Sequence, residues 1–130
     1  MWQLISPNGK IKIARTFLGY PASRSFIGTI EIPDQIFQTK NRSFADPMAF
    51  SNSSFYLAAV EIVPSNTSYD SSNRVVVFDF EHYKEWIVFA DEGASIESIE
   101  WTTNALQMDV IIPGRGREER SWKPVNFALG

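Results

Sequence analysis

The stretch "FSNSSFYLAAVEIV", Phe50 to Val63, places a polar turn directly before a run of aromatic and branched apolar residues. Such runs favour β-strands, because these side chains pack well on a pleated, half-buried surface. A fainter likeness, "WTTNALQMDVII", spans Trp101 to Ile112, and "ISPNGKIKIA" opens in a similar way at Ile5. The sequence therefore indicates several strands that are introduced by similar turns.

Further short apolar runs occur along the chain, among them "SFIGTIEI", "RVVVFDF", "WIVFA" and "VNFAL". They are separated by Gly-, Pro-, Asn- and Ser-rich segments such as "GYPASR" and "DEGA", which are typical of turns between strands. The chain of 130 residues has the length of one ordinary domain. We therefore predict a single mainly β domain over residues 1–130, an antiparallel, twisted sheet or sandwich of roughly eight to ten strands.

The clearest hairpin is predicted from Arg74 to Asp91, where "EHYKE" joins two strongly β-prone runs. The polar segment from Pro64 to Asn73 is expected to form a ten-residue loop. At most one or two short helices are expected. One is in "PDQIFQTKNRSF", where Asp34 would cap a turn, and the other is in "ASIESIEW", where apolar residues are spaced by three.

The three turn-then-strand starts lie at residues 5, 50 and 101, so they are spaced by 45 and 51 residues. These intervals, together with "SPNG" at Ser6, resemble the blade repeats of β-propeller families, in which an "SPDG"-like turn precedes an inner strand. The "GH" and "WD" marks of the commonest blades are absent. A closed propeller needs at least about four blades, and this chain has room for about three. The resemblance implies blade-like meanders in an open sheet, or blade fragments completed by self-association.

Composition limits the chemistry that this chain can perform. It contains no cysteine and a single histidine, so disulfides, thiolate metal sites and a cysteine nucleophile are excluded, and we expect neither a metal site nor a cofactor. The amino terminus lacks the features of a secretory signal, and no apolar run is long enough to cross a bilayer. We therefore expect a cytoplasmic protein that does not bind a membrane.

The formal net charge of −3 conceals a regional division. Residues 1–45 carry six basic and two acidic side chains, a balance of +4, whereas residues 79–109 carry eight acidic and one basic, a balance of −7. A concentrated acidic region is useful where it meets a cationic partner, and aromatic residues often anchor such contacts. The predicted partner-binding residues are Glu81, Tyr83, Glu85, Trp86, Asp91, Glu92, Glu97 and Glu100. The alternative is a solvated face that keeps the sheet soluble.

No catalytic signature occurs in the sequence, which contains no nucleophile elbow, phosphate-binding glycine loop or dinucleotide fingerprint, and we predict that the protein is not an enzyme. His82 is expected to be an exposed turn residue; the alternative is an acid or base acting with Glu81 or Glu85. The segment "PGRGREER" is expected to be a flexible charged turn rather than a phosphate-gripping loop. The sequence pI near 5.1 argues against nucleic acid as a partner.

A small, acidic, cysteine-free chain of this kind resembles bacterial toxin-immunity proteins in type, although it matches no motif of theirs. The resemblance implies binding and neutralisation of a basic partner, such as a toxin with nuclease activity, by carboxylates that occupy its cationic groove. One alternative is a β-rich structural or regulatory interaction module that self-associates into a homo-oligomer. The other is a small-ligand-binding protein or small enzyme with a pocket lined by Phe and Trp.

Overall fold

The computed structural model describes residues 2–17, 27–33, 37–64, 71–103 and 105–124. Ten antiparallel strands account for most of these residues, and no α-helix occurs among them. The prediction of a mainly β, antiparallel fold of eight to ten strands is confirmed.

The strands form two meanders, in which each strand pairs with its neighbour in sequence. The seven-stranded sheet contains β1 (Trp2–Ile5), β2 (Lys12–Phe17), β3 (Ile27–Glu31), β4 (Ser43–Phe50), β5 (Tyr56–Pro64), β6 (Ser71–Asp79) and β7 (Lys84–Ala90). The three-stranded sheet contains β8 (Ser95–Trp101), β9 (Leu106–Ile112) and β10 (Gly116–Trp122), with β9 in the centre. The predicted hairpin is confirmed as β6–β7; Asp79 pairs with Lys84, so the loop is shorter than expected and comprises residues 80–83.

Strands β5 and β6 are buried on both faces. Leu57, Ala58 and Ala59 in β5 are fully buried, as is the run Val75–Phe78 in β6. Successive side chains of a strand point to opposite faces, so an unbroken apolar run requires a hydrophobic layer on each side. The sequences "YLAAV" and "VVVF" therefore fix these two strands at the centre of the molecule.

One hydrophobic layer, which we call the concave cluster, lies on one face of the seven-stranded sheet. Its buried members are Ile13, Ile30, Ile32, Phe37, Phe44, Leu57, Ala59, Val76 and Phe78. In a flat sheet, the β1–β2 loop and the β4–β5 loop would lie about 14 Å apart, three strand spacings. The Asn8 N–H nevertheless donates to the Ser54 hydroxyl at 3.0 Å, and Leu4 and Ile11 pack against this cluster, so the sheet curves around this layer.

The three-stranded sheet supplies the other layer, which we call the intersheet cluster. Its buried members are Tyr56, Ala58, Val75, Val77, Phe89, Ala94, Leu106, Met108, Val110 and Ile112. At one end of the cluster, Tyr56 stacks on Trp101 with 5.8 Å between ring centroids, and Trp122 meets the Tyr56 ring edge-on at 6.4 Å. The fold is thus a curved sheet with a smaller sheet packed on its other face.

Two of the three similar turns noted in the sequence have the same loop structure. In Ser6–Ile11 and in Ser51–Tyr56, the first N–H donates to the sixth carbonyl, at 2.9 and 2.8 Å. The fourth residue of each loop, Gly9 or Ser54, has a positive φ of 75° or 69°. In both loops the N–H of the sixth residue donates to the hydroxyl of the first serine, at 3.1 and 3.2 Å. The 45-residue spacing therefore marks a structural repeat of the hairpin loop.

The three turns also meet in space. The Asn8 N–H donates to the Ser54 hydroxyl at 3.0 Å, which ties the two similar loops together. Trp101 donates its indole N–H to the Ala49 carbonyl at 2.9 Å, which ties the β8–β9 end to β4. The β8–β9 turn itself is tighter, because the Thr102 N–H donates to the carbonyl three residues on, at 2.8 Å. Trp101 therefore begins a hairpin of a different kind.

Segment "ASIESIEW", one of the two helix candidates, is strand β8, and this helix prediction was wrong. A β-bulge between Ile96 and Ser98 inserts Glu97 without a partner on β9. The extra residue lets Ile96 and Ile99 both pack on the intersheet cluster although they are three residues apart. The helix-like spacing of these apolar residues is therefore produced by the bulge.

Three other local predictions need correction or lie partly outside the described residues. In the other helix candidate, residues 37–42 form a bend and a turn, in which the Arg42 N–H donates to the Thr39 carbonyl at 3.3 Å; residues 34–36 lie outside the described residues. The predicted ten-residue loop, Pro64 to Asn73, is too long, because Pro64 pairs with Ser71; residues 65–70 lie outside the described residues. Only residues 113–115 of "PGRGREER" form a turn, because β10 begins at Gly116.

The double-sided burial predicts a large difference between two phenylalanines. Replacing the fully buried Phe78 by Ala should lower the free energy of unfolding by about 3–5 kcal/mol, because it opens a cavity in the concave cluster. The matched variant Phe55→Ala, at a turn residue that is 45% exposed, should cost less than about 1 kcal/mol. Chemical denaturation measures both values, and equal losses would contradict the assignment of the core.

Candidate functional site

The predicted partner-binding residues lie in one continuous part of the chain but in different surroundings. Glu81 and Tyr83 lie in the β6–β7 loop, Glu85 and Trp86 in β7, Asp91 and Glu92 in the turn before β8, and Glu97 and Glu100 in β8. Several of these side chains already have partners within the chain. Their contacts decide which of them a second molecule can reach.

The two aromatic candidates differ in exposure. Trp86 is half-buried against the intersheet cluster, with its ring 6.3 Å from that of Trp122 and the Lys84 ammonium 5.9 Å from its own centroid. Tyr83 is 65% exposed at the tip of the β6–β7 loop, where its backbone has a positive φ of 57°. Tyr83 is therefore the accessible aromatic residue of the predicted pair.

Glu85 belongs to a charge cluster that joins β5, β6 and β7 to the residue before β4. Arg42, directly before β4, donates through Nε and Nη2 to the two carboxylate oxygens of Glu61, each at 2.9 Å. Its Nη1 donates to Glu85 at 2.9 Å, and Arg74 donates through Nε to Glu61 at 2.9 Å. Two arginines thus neutralise two glutamates, and Glu85 is not a free carboxylate.

The buried member of this cluster is Glu61, with only 6% of its side chain exposed. Burial by itself would raise the pKa of Glu61, but the hydrogen bonds from Arg42 and Arg74 outweigh burial and hold the pKa below its ordinary value. The hydrogen bond to Glu61, opposed by burial and reinforced by Glu85, raises the pKa of Arg42. Glu61 therefore remains ionised inside the fold, where removal of its partners would be costly.

Two more predicted carboxylates meet arginines of the β9–β10 hairpin. Arg115 Nη2 donates to Asp91 at 3.0 Å, and Arg117 Nη2 lies 3.5 Å from a carboxylate oxygen of Glu97. The basic segment that the sequence suggested as a flexible turn thus lies beside part of the acidic region. These pairs are largely exposed, so each contributes little to stability, but each lowers the local negative charge.

The β6–β7 loop is organised by a buried carboxylate. Asp79 accepts hydrogen bonds from the N–H groups of Glu81 and His82, at 2.9 and 3.0 Å. Its second oxygen lies 3.0 Å from Nδ1 of His82. The structure places His82 at the exposed loop, as predicted, with the carboxylate of Glu81 3.4 Å from its other nitrogen. Burial, together with the charges of Asp79 and Glu81, raises the pKa of nearby Tyr56.

The side of the three-stranded sheet that faces away from the intersheet cluster, which we call the outer face, carries four carboxylates; Asp109 accepts a hydrogen bond from the Ser98 hydroxyl at 3.1 Å. Strand alternation and register place on it Ser95, Ser98, Glu100, Gln107, Asp109, Ile111, Arg117, Glu119 and Ser121, with the bulged Glu97 beside Arg117. Its charge is four carboxylates against one guanidinium, −4 + 1 = −3. Glu97 and Glu100 were predicted from the sequence, whereas Glu119 and Ile111 were not.

The outer face has a shallow depression and an apolar centre. Gln107, Asp109, Glu119 and Ser121 border a depression of about 280 Å³ between β9 and β10. Ile111, on the central strand, is 37% exposed although it is a large apolar side chain. An exposed aliphatic residue among carboxylates offers a partner both an apolar contact and hydrogen-bond acceptors.

Other kinds of site have little support in the described residues. Among them, no group of three or more His, Asp or Glu side chains is arranged to hold a metal ion. No helix in the described part of the chain is long and apolar enough to span a membrane. An open crevice of about 660 Å³ runs beside Thr29–Ile32 and Phe37–Asn41, next to residues outside the described ranges.

Comparison with known proteins adds no assignment. No protein-family model matches the chain, no curated protein matches it, and no solved structure matches its fold. The resemblances to propeller blades and to immunity proteins therefore stay predictions, as does the expectation of a cytoplasmic location.

The charge cluster predicts how stability depends on pH. Because the folded-state pKa of Glu61 is lowered, its contribution is present above the ordinary value of 4.5 and is lost as pH falls through the lowered pKa. Glu61→Gln should reduce the free energy of unfolding at neutral pH by about 1–3 kcal/mol. The difference from the native protein should shrink as the pH falls below 4.5.

Denaturation across this pH range measures that difference. Glu97→Gln is the matched control. The Glu97 side chain is 41% exposed and its contact with Arg117 is long, at 3.5 Å, so we expect little change in the free energy of unfolding at any pH. A difference for Glu61→Gln that stays constant down to acid pH would contradict the role of the ionised carboxylate.

Proposed function

We propose that this protein is a non-catalytic binding domain that uses the outer face of its three-stranded sheet to hold a basic protein partner. The observation that carries the proposal is the excess of carboxylates on this face, Glu97, Glu100, Asp109 and Glu119 against Arg117. Clustered carboxylates on one exposed surface raise the cost of folding through self-repulsion, and a cationic partner relieves that cost.

The surroundings of the outer face support this choice of surface. Glu85 and Asp91, which the sequence also suggested, are bound to Arg42 and Arg115, so their charge is already compensated. The side chains of Glu100 and Glu119 make no hydrogen bond or ion pair among the described residues. The exposed Ile111 adds an apolar contact in the same surface.

The partner class that fits this chemistry is a protein with a groove lined by Lys and Arg. A toxin that acts on nucleic acid has such a groove, since it must bind phosphates. By occupying the groove, the carboxylates would prevent substrate from entering. This mechanism requires no catalytic group of the binding domain. The remaining predicted residues, Glu81, Tyr83, Trp86 and Glu92, border other parts of the surface and stay predictions.

The proposal predicts that binding depends on charge at the outer face and nowhere else on the acidic region. The tagged protein should retain a basic partner from lysate at low salt and release it at high salt. With that partner purified, Glu100→Lys combined with Asp109→Asn should weaken binding at least about tenfold, by loss of charge complementarity.

Glu81→Lys is the control for the Glu100→Lys change, because it reverses one carboxylate in the β6–β7 loop, away from the outer face. Binding should be affected much less by this control than by the outer-face variant. Equal losses of binding for both variants would contradict the outer face as the site. They would indicate that binding involves the β6–β7 loop or depends only on the net charge of the protein. Failure of the native protein to retain any basic protein would contradict the proposed function.

A further inference from the structure

Four strands form the ends of the two sheets, and they differ in how they are protected against pairing with another chain. Natural sheets protect such edge strands by making them short or by interrupting them with bulges. β1 has only four residues, and β8 is bulged at Glu97. The pairing of β7 with β6 is interrupted between Ile87 and Phe89, which pair with the consecutive residues Val76 and Val75. β10 is seven residues long and pairs with β9 without interruption from Gly116 to Trp122. No other strand in the described part of the chain pairs with the outer edge of β10.

Charge is the remaining protection of β10, but its charges are self-complementary. The strand contains Arg117, Glu118, Glu119 and Arg120 in succession. Side chains alternate between faces, so Arg117 and Glu119 share the outer face, while Glu118 and Arg120 share the other face. Each face therefore carries one positive and one negative side chain, two residues apart.

Antiparallel pairing of β10 with β10 of a second copy about a two-fold axis brings opposite charges together. In such a pairing the residue numbers of every opposed pair have the same sum, and this sum defines the register. The sum is even, because opposed residues share a face of the sheet. In the register with the sum 236, Arg117 lies opposite Glu119 of the second copy, and symmetry repeats this pair. In the register with the sum 238, Glu118 lies opposite Arg120 of the second copy.

The contacts within the chain select the first register. Glu118 is already bound to Arg120 at 2.6 Å and lies 3.7 Å from Arg115, so it has little to gain from another arginine. The Glu119 side chain makes no hydrogen bond or ion pair among the described residues, and the Arg117 side chain has only the 3.5 Å contact with Glu97. The first register gives Glu119 a partner, and the Glu118 side chains that then oppose each other are each already neutralised.

We infer that β10 is a dimerisation edge, which pairs with β10 of a second copy to form one continuous six-stranded sheet. The Arg117–Glu119 pairs fix the register. Because the two-fold axis is perpendicular to the sheet, the outer faces of both copies lie on the same side. In the dimer, Glu119 is paired with Arg117 of the second copy, so each outer face keeps Glu97, Glu100 and Asp109 for the partner of the proposed function. Formation of the dimer does not depend on that function.

Sedimentation equilibrium of the full chain over a range of concentrations tests the inference. The native protein should approach twice the monomer mass of 14.8 kDa. Arg117→Glu and Glu119→Arg, each alone, should raise the dimer dissociation constant at least about tenfold, because each places like charges opposite each other at two points. Circular dichroism and thermal unfolding show whether each variant keeps its fold.

Two combinations separate this pairing from a general effect of charge. The double variant with both Arg117→Glu and Glu119→Arg should dimerise again, because the pairs are restored with their signs exchanged. A mixture of the two single variants should form a heterodimer, since one supplies two glutamates and the other two arginines. A native protein that stays monomeric at all concentrations, or single variants that dimerise like the native protein, would overturn the inference.

Discussion

Burial of β5 and β6 on both faces is the constraint on which the remaining structure depends. A strand whose consecutive residues are all apolar is stable only between two hydrophobic layers, one on each face of its sheet. The curvature of the seven-stranded sheet provides the concave cluster, and the three-stranded sheet provides the intersheet cluster. The chain thus needs both meanders to cover "YLAAV" and "VVVF".

This arrangement decides where charge can lie. Two carboxylates of the seven-stranded sheet are buried, Glu61 within β5 and Asp79 at the end of β6, and Arg42 and Arg74 bond directly to Glu61. Most other charges are displaced to loops, edges and the outer face of the three-stranded sheet. That face has no further layer among the described residues to cover it, so its carboxylates remain available to a second molecule.

Much of the fold could be predicted from the sequence, because apolar alternation and turn residues are local signals. The β6–β7 hairpin and the likeness between the turns at Ser6 and Ser51 were both visible in this way. The bulge at Glu97 was not, since the spacing of Ile96 and Ile99 fits a helix as well as an interrupted strand. The strand character of "GREERSW" was also hidden, because β10 has few apolar residues and lies at an edge.

The candidate site was harder to predict, because it depends on pairs distant in sequence. Regional charge identified Glu97 and Glu100 but missed Glu119, which stands among arginines in the sequence and beside Asp109 in the sheet. The regional charge also pointed to Glu85, but Glu85 is paired with Arg42, which lies 43 residues earlier in the chain. Such cancellation becomes visible only when the strand order is known.

Native-state hydrogen exchange, resolved by residue, tests the central role of β5 and β6 most directly. The amides of Leu57–Val60 and Val75–Phe78 should be the slowest to exchange and should open only with global unfolding, because no partial opening leaves both hydrophobic layers intact. The amides of β1 and β10, at the sheet edges, should exchange faster. Exchange in β5 or β6 as fast as in the edge strands would contradict the dependence of the fold on these two central strands.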